Sequence, residues 1–132
     1  MFQTGVQLNT HVRKSDSDQA ILIDSKAALE RFVLDYGDLN NLLAPALARY
    51  DDAFFAQRAL VAVTRSESSG SITHTAQRIE RQGSALNVYF TRHLPGIGTS
   101  DMAYWVFALE VARDDIAGIS AHGVQAHWAN AQ

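Results

Sequence analysis

Cysteine is absent from the 132 residues, which removes disulfides, cysteine nucleophiles and thiolate metal sites together. Charge is sparse: Asp, Glu, Lys and Arg make up 19% of the chain, below the usual quarter of a soluble domain. With 47% hydrophobic residues, that balance excludes disorder as a description of the whole chain. Positive charge is the scarcer sign. Eleven Lys and Arg against fourteen Asp and Glu leave a formal charge of −3, without the basic footprint a nucleic-acid binder needs to displace counterions from phosphates. Long apolar runs are also missing. The longest, such as Ala59–Val63 and Ala103–Leu109, have the length of buried strands and fall far short of the ~20 residues of a spanning helix. Met1-Phe2-Gln3-Thr4-Gly5 offers no basic region before an apolar stretch, so no signal peptide is expected, and no Asn-x-Ser/Thr sequon occurs. The expected localisation is cytoplasmic, or secreted if the chain is trimmed from a longer protein.

What is present fits one domain over residues 1–132, a length able to bury a core without staples. Val6, Leu8, Thr10 and Val12 alternate with polar neighbours and predict a strand over 4–12, followed by a polar turn at Lys14–Asp18. Ala20–Ile23 reads as a short strand ending at Asp24-Ser25, two residues suited to cap a helix. The helix they announce, about 25–36, carries Leu29, Phe32, Val33 and Tyr36 on one face and stops at Gly37. Leu39, Leu42, Leu43 and Leu47 have helical spacing interrupted by Pro45, which predicts two short helical turns. Asp51 caps a turn bearing Phe54 and Phe55, and residues 58–64 are apolar on both faces, as in a central strand.

The second half has a period of two. A turn at 66–71 precedes a strand over 72–80, and Gly83 supplies a hairpin loop at 81–84. Leu86, Val88 and Phe90 alternate along the next strand, a Gly/Pro loop spans His93 to Asp101, and a strand covers Ala103–Val111. Residues 119–128 read as a final edge strand or a loose tail. The expected class is α+β: an antiparallel meander sheet of about five to seven strands, with one amphipathic helix (about 25–36) and short helical turns packed on it.

Leu60-Val61-Ala62-Val63, Ser69-Gly70-Ser71-Ile72, Gly83-x-x-Leu86-x-Val88 and the loop from Pro95 to Thr99 together resemble the C-terminal domain of PrcB-type protease-complex subunits. Tyr50-Asp51-Asp52-Ala53-Phe54-Phe55 and the capped helix at Ser25 also look like bacterial proteins carrying that domain, so the resemblance covers about residues 20–112. The family tends to place a Tyr-Pro pair near the last strand, where this chain has Tyr104-Trp105. The resemblance implies an accessory or interaction role and brings no catalytic residue.

Candidate chemistry is thin. His93 and Asp101 flank the Gly/Pro loop beside Thr99 and Ser100, the residue types of a nucleophile and its base, but no Gly-x-Ser-x-Gly elbow accompanies them. Short polar side chains at a strand entrance more often satisfy local amides. His74, His93, His122 and His127 lack the spacing of metal ligands, so neither a metal nor a cofactor is expected. Asp51/Asp52 and Asp114/Asp115 are adjacent pairs at element ends, better read as caps than as an acid/base pair. Gly96-Ile97-Gly98-Thr99 leads into a strand, whereas a phosphate cradle must open a helix. Alternation turns Phe90, Trp105 and Phe107 inward and leaves Tyr89 and Tyr104 on the other side, where they would form an aromatic binding patch.

The expected function is a non-enzymatic interaction domain. It would bind a protein partner, a second copy included, through a sheet face or edge marked by Tyr89, Tyr104, His93, Thr99 and Asp101, with no nucleic acid and no membrane span. One alternative is a small hydrolase or metal-dependent enzyme using His93 and Asp101, with His74 in support. Another is a small-molecule carrier with a pocket between helix and sheet.

Overall fold

The computed structural model describes residues 2–10, 18–36 and 41–131. Its strands are β1 (Phe2–Asn9), β2 (Ala20–Ile23), β3 (Arg58–Glu67), β4 (Thr73–Gln82), β5 (Ala85–His93), β6 (Ala103–Ala112) and β7 (Val124–Asn130). Its α-helices are α1 (Lys26–Tyr36), α2 (Leu43–Leu47) and α3 (Asp52–Gln57), and a 3-10 turn at Arg113–Ile116 follows β6. None of the described helices is long and apolar enough to cross a membrane.

The α+β class stands, but the single meander does not. The strands form two sheets, one in the order β1-β6-β3-β2 and one in the order β4-β5-β7. The four-stranded sheet is antiparallel throughout, whereas β7 lies parallel to β5. The edge strand expected over 119–128 is β7, at the edge of the smaller sheet, and it runs from Val124 to Asn130, with residues 119–123 forming turn and loop before it. The sheets face each other, and the helices cover the outer side of the larger one, giving three layers.

Two cores follow from these layers. Leu22, Val61, Val63, Val88, Phe107 and Leu109 fill the space between the sheets. Ile23, Leu29, Phe32, Leu60, Ala62 and Val106 fill the space between the larger sheet and the helices. β3 is apolar on both faces because it contributes to both, Val61 and Val63 to one side and Leu60 and Ala62 to the other. Helix α1 starts where Ser25 Oγ accepts the Ala28 amide at 3.1 Å, and buries Leu29, Phe32 and Tyr36. Its expected stop at Gly37 and the turn at 14–17 lie outside the described residues. Pro45 is the third residue of α2, in the first turn, where its missing amide has no intrahelical partner to lose. Asp51 caps α3 through Phe54 N at 3.0 Å.

Two bulges set side-chain directions that simple alternation misses. In β1 the register shifts between Thr4 and Val6, so Gly5 is the extra residue. A Cβ at Gly5 would collide with the Tyr50 hydroxyl and the Glu110 carboxylate, and the Arg49 guanidinium donates to the Gly5 carbonyl. In β4 the register shifts between Ala76 and Arg78. Gln77 is therefore the extra residue, and its insertion turns His74 inward along with Ala76 and Ile79.

Candidate functional site

The residues singled out from the sequence fall in three separate places. Tyr89 and His93 are both on the outer face of the three-stranded sheet, because β5 turns Leu86, Val88 and Phe90 into the inter-sheet core. Tyr104 shares its parity with Val106 and Ala108, so it lies on the helix side of the larger sheet, paired with Ser66. The expected Tyr89–Tyr104 patch therefore does not form. Alternation was right within each strand, but the two strands belong to different sheets and their outer faces point in opposite directions.

Thr99 and Asp101 occupy the third place, the 94–102 loop. Ser69 Oγ accepts the Thr99 amide at 3.0 Å and shares a hydrogen bond with the Thr99 hydroxyl at 2.9 Å. Ser71 Oγ reaches the same hydroxyl at 3.2 Å. Thr99, its hydroxyl donating, and then the backbone amides of Asp101 and Gly70 hold the exposed Asp101 carboxyl below its ordinary range. His93 instead pairs with Thr75 Oγ1 at 2.8 Å. His93 and Asp101 thus have different partners, and Asp101 acts on its own loop and the 69–71 turn. The clamped loop holds Leu94, Ile97 and Met102 in solvent, with Ile97 93% exposed.

On the outer face of the small sheet, three neighbouring strands build one stack. Arg78 of β4 lies 3.9 Å from the Tyr89 ring centroid. His127 of β7 stacks on the same ring at 4.7 Å and 16°. Its Nε2 bonds Asn87 Oδ1 at 2.9 Å, and Arg78 Nε donates to Glu80 at 2.7 Å. The cation–π and stacking contacts hold Tyr89 between two partners, and it remains half-buried. Arg78, Glu80, His93, Gln125 and Ala129 on this face are exposed, and neither hydrophobic core draws a residue from it.

The most charged interior cluster was not visible as such in the sequence. At one end of the sandwich Glu67 is only 4% exposed, and Arg92 grips it with two hydrogen bonds of 2.8 Å from Nε and the terminal nitrogen. His74 Nε2 lies 2.6 Å from Glu67 Oε2, and Arg65 Nε donates to the same oxygen at 3.3 Å. Burial alone would raise the Glu67 carboxyl. The hydrogen bonds from Arg92 and His74 and the charges of Arg65 and Arg92 outweigh it and hold the group at about 2. Burial depresses His74 despite the neighbouring carboxylate, so the ring is neutral. A carboxylate only accepts, so the neutral ring donates through Nε2 and leaves Nδ1 bare. Nδ1 has no partner, and the imidazole packs edge-on among Trp105, Phe107 and Trp128, with ring centroids 5.4–5.8 Å from its own. Arg65 stacks on Trp128 at 4.7 Å and reaches Asp18 at 3.2 Å, closing the cluster from outside.

This cluster has the residue types of acid–base chemistry but lacks access. The His74 side chain has no exposed surface, and both Glu67 oxygens already bind arginine. No group of three or more His, Asp or Glu suited to a metal ion occurs among the described residues. The space between α1 and the sheet, expected to hold a carrier's pocket, is filled by core side chains. A groove of about 420 Å³ opens instead at the surface between α1 and α2, lined by Leu29, Val33, Leu34, Ala44 and Leu47. No protein-family model matches the chain, and no curated protein or solved structure matches it.

Proposed function

We propose that this chain is a non-catalytic accessory domain that binds a protein partner on the outer face of its three-stranded sheet, with Tyr89 at the centre. The observation that carries this reading is the Arg78–Tyr89–His127 stack on a face whose surrounding side chains are exposed. Tyr and Arg are the residue types that concentrate binding energy at interfaces. A tyrosine already held by its neighbours loses little side-chain freedom when a partner arrives. The resemblance of residues 20–112 to PrcB-type subunits supports an accessory role as well, and the inward, arginine-bound Glu67–His74 pair counts against catalysis there.

A photo-crosslinking phenylalanine analogue at Tyr89 tests the reading, with the same analogue at the exposed Asp35 of α1 as control. In extracts of the native cells, the expected result is a discrete protein adduct at position 89 that is missing at position 35 and is lost with Arg78→Ala. No adduct at position 89, or the same adducts at both positions, overturns it.

A further inference from the structure

We infer that Arg65 and Trp128 form an acid-opened lid over His74: a proton taken up by the imidazole drives the Arg65 guanidinium off Glu67 and uncovers Trp128. The contacts converge on one atom. Glu67 Oε2 accepts from His74 Nε2 at 2.6 Å, from Arg92 Nε at 2.8 Å and from Arg65 Nε at 3.3 Å. A carboxylate oxygen has about two lone-pair sites, so three donors crowd it, and Arg65 holds on by the longest bond. Arg92 is fixed twice more, to Glu67 Oε1 at 2.8 Å and to Asn130 Oδ1 at 2.7 Å. Arg65 has an exit instead. Its terminal nitrogen donates to Asp18 at 3.2 Å, and its side chain is already 22% exposed. Asp18 is itself tied to the Ser66 amide at 2.8 Å, so the anion that receives Arg65 stays in place on the outside.

Every element around the imidazole opposes a second proton on it. β3 contributes Arg65 and Glu67, β5 contributes Arg92, and Asp18 lies beyond Arg65. β6 and β7 present the uncharged Trp105, Phe107 and Trp128, and from β1 the Gln7 amide donates to the His74 carbonyl. A proton at Nδ1 therefore adds a third cation around one carboxylate, which is still ionised because it is held at about 2. It also turns Nδ1 from an acceptor into a donor, with no acceptor in reach among the described residues. The buried Trp105 Nε1 is a donor without a partner too, on a ring 5.8 Å from the imidazole. The imidazolium needs one cation fewer and water at Nδ1. Movement of Arg65 supplies both. Its guanidinium covers the Trp128 ring at 4.7 Å, and that ring packs 5.4 Å from the imidazole. Swinging out to Asp18 takes a cation off Glu67 and opens Trp128 toward the cleft of about 240 Å³ that it lines with Asp18, Thr64 and Val124.

The test follows the whole chain by NMR from about pH 7.5 to about pH 4, reading the His74 ring nitrogens and the relaxation of the Trp128 ring by a neutral gadolinium chelate. At the start His74 should carry its single proton on Nε2. The relaxation enhancement at Trp128 should then rise roughly twofold or more, with the midpoint of proton uptake at Nδ1, while the amides of Val61 and Val63 keep their shifts. Those two residues of the central strand separate a local opening from unfolding. In His74→Phe the enhancement should stay at its neutral-pH value throughout. Arg65→Gln removes the lid and leaves His74 in place, so Trp128 should be open from the start and show no further step. An imidazole that stays neutral to the acid end, or a Trp128 that stays shielded while the imidazole charges, would overturn the inference. So would a step that persists in His74→Phe, a Trp128 of wild-type shielding in Arg65→Gln, or loss of the Val61 and Val63 signals as His74 charges. His74 turns inward and Tyr89 outward, so the lid and the partner site lie on opposite faces of the three-stranded sheet, and each stands or falls by its own experiment.

Discussion

Replacing Glu67 with Gln keeps the shape of the side chain and removes the charge that Arg92, Arg65 and His74 surround. Holding this carboxyl at about 2, against its ordinary 4.5, corresponds to roughly 3 kcal/mol of folding stability at neutral pH, at about 1.4 kcal/mol per pH unit. Solvent takes little of that back, because the group is 4% exposed. A depressed acid gives stability that is whole above its unfolded value and is lost as pH falls toward its folded one, so the window runs from 4.5 down to about 2. Urea unfolding followed by Trp105 and Trp128 fluorescence, at fixed ionic strength between pH 7 and pH 3, measures it. At pH 7 the Gln variant should be less stable by about 3 kcal/mol, and by pH 3 roughly 2 kcal/mol of that gap should have closed. Protonated Glu and Gln are nearly the same group to these arginines. A gap of constant size across the range would refute the argument, since it would place the cost in packing.

His74→Phe probes the same cluster from the other side. Burial depresses the imidazole below its ordinary 6.5, so the wild type should lose stability as pH falls below 6.5, and the Phe variant should stay flat from there to about pH 5 in the same unfolding assay. Gly5→Ala drives a Cβ into the Tyr50 hydroxyl and the Glu110 carboxylate, and should cost about 1–3 kcal/mol by overpacking. In a Tyr50→Phe background that penalty should shrink by about 1 kcal/mol or more, because one of the two clashing groups is gone; equal penalties in the two backgrounds would rule out the clash.

Local signals carried much of the fold. Ser25 with Leu29, Phe32 and Tyr36 is enough to place α1, because cap and periodicity both operate within one helix. The apolar run of β3 declares a strand covered on both sides before its covers are known. Partition into two sheets is a different kind of information. Alternation tells which residues of one strand share a face, not which strands are neighbours, so Tyr89 and Tyr104 read as companions although two sheets lie between their faces. His74 failed for a sharper reason. It is five residues from Ile79, an odd spacing that puts the two on opposite faces of a regular strand, and only the Gln77 bulge turns both inward. Arg92 then faces His74 across the ladder and Glu67 arrives from the other sheet, so three distant segments build a cluster that no spacing rule records.

The placement of charge also decides which surfaces are left to act. Glu67 draws Arg65, Arg92 and His74 to one closed end of the sandwich, and Glu110 takes Arg49 and Arg58 at 3.4 and 3.9 Å beside the Tyr50 hydroxyl. Arg113 spends its guanidinium on the carbonyls of Asp24 and Phe55, at 2.8 and 2.9 Å. These groups fasten layers to one another and have few bonds left for a ligand. Arg78 differs. It lies on the outside of the structure, bound to Glu80 next door and resting on a tyrosine that faces solvent. A half-exposed cation that fastens no layer, held over an aromatic ring on the outer face of a sheet, contributes little to the fold and keeps its guanidinium within reach of a partner.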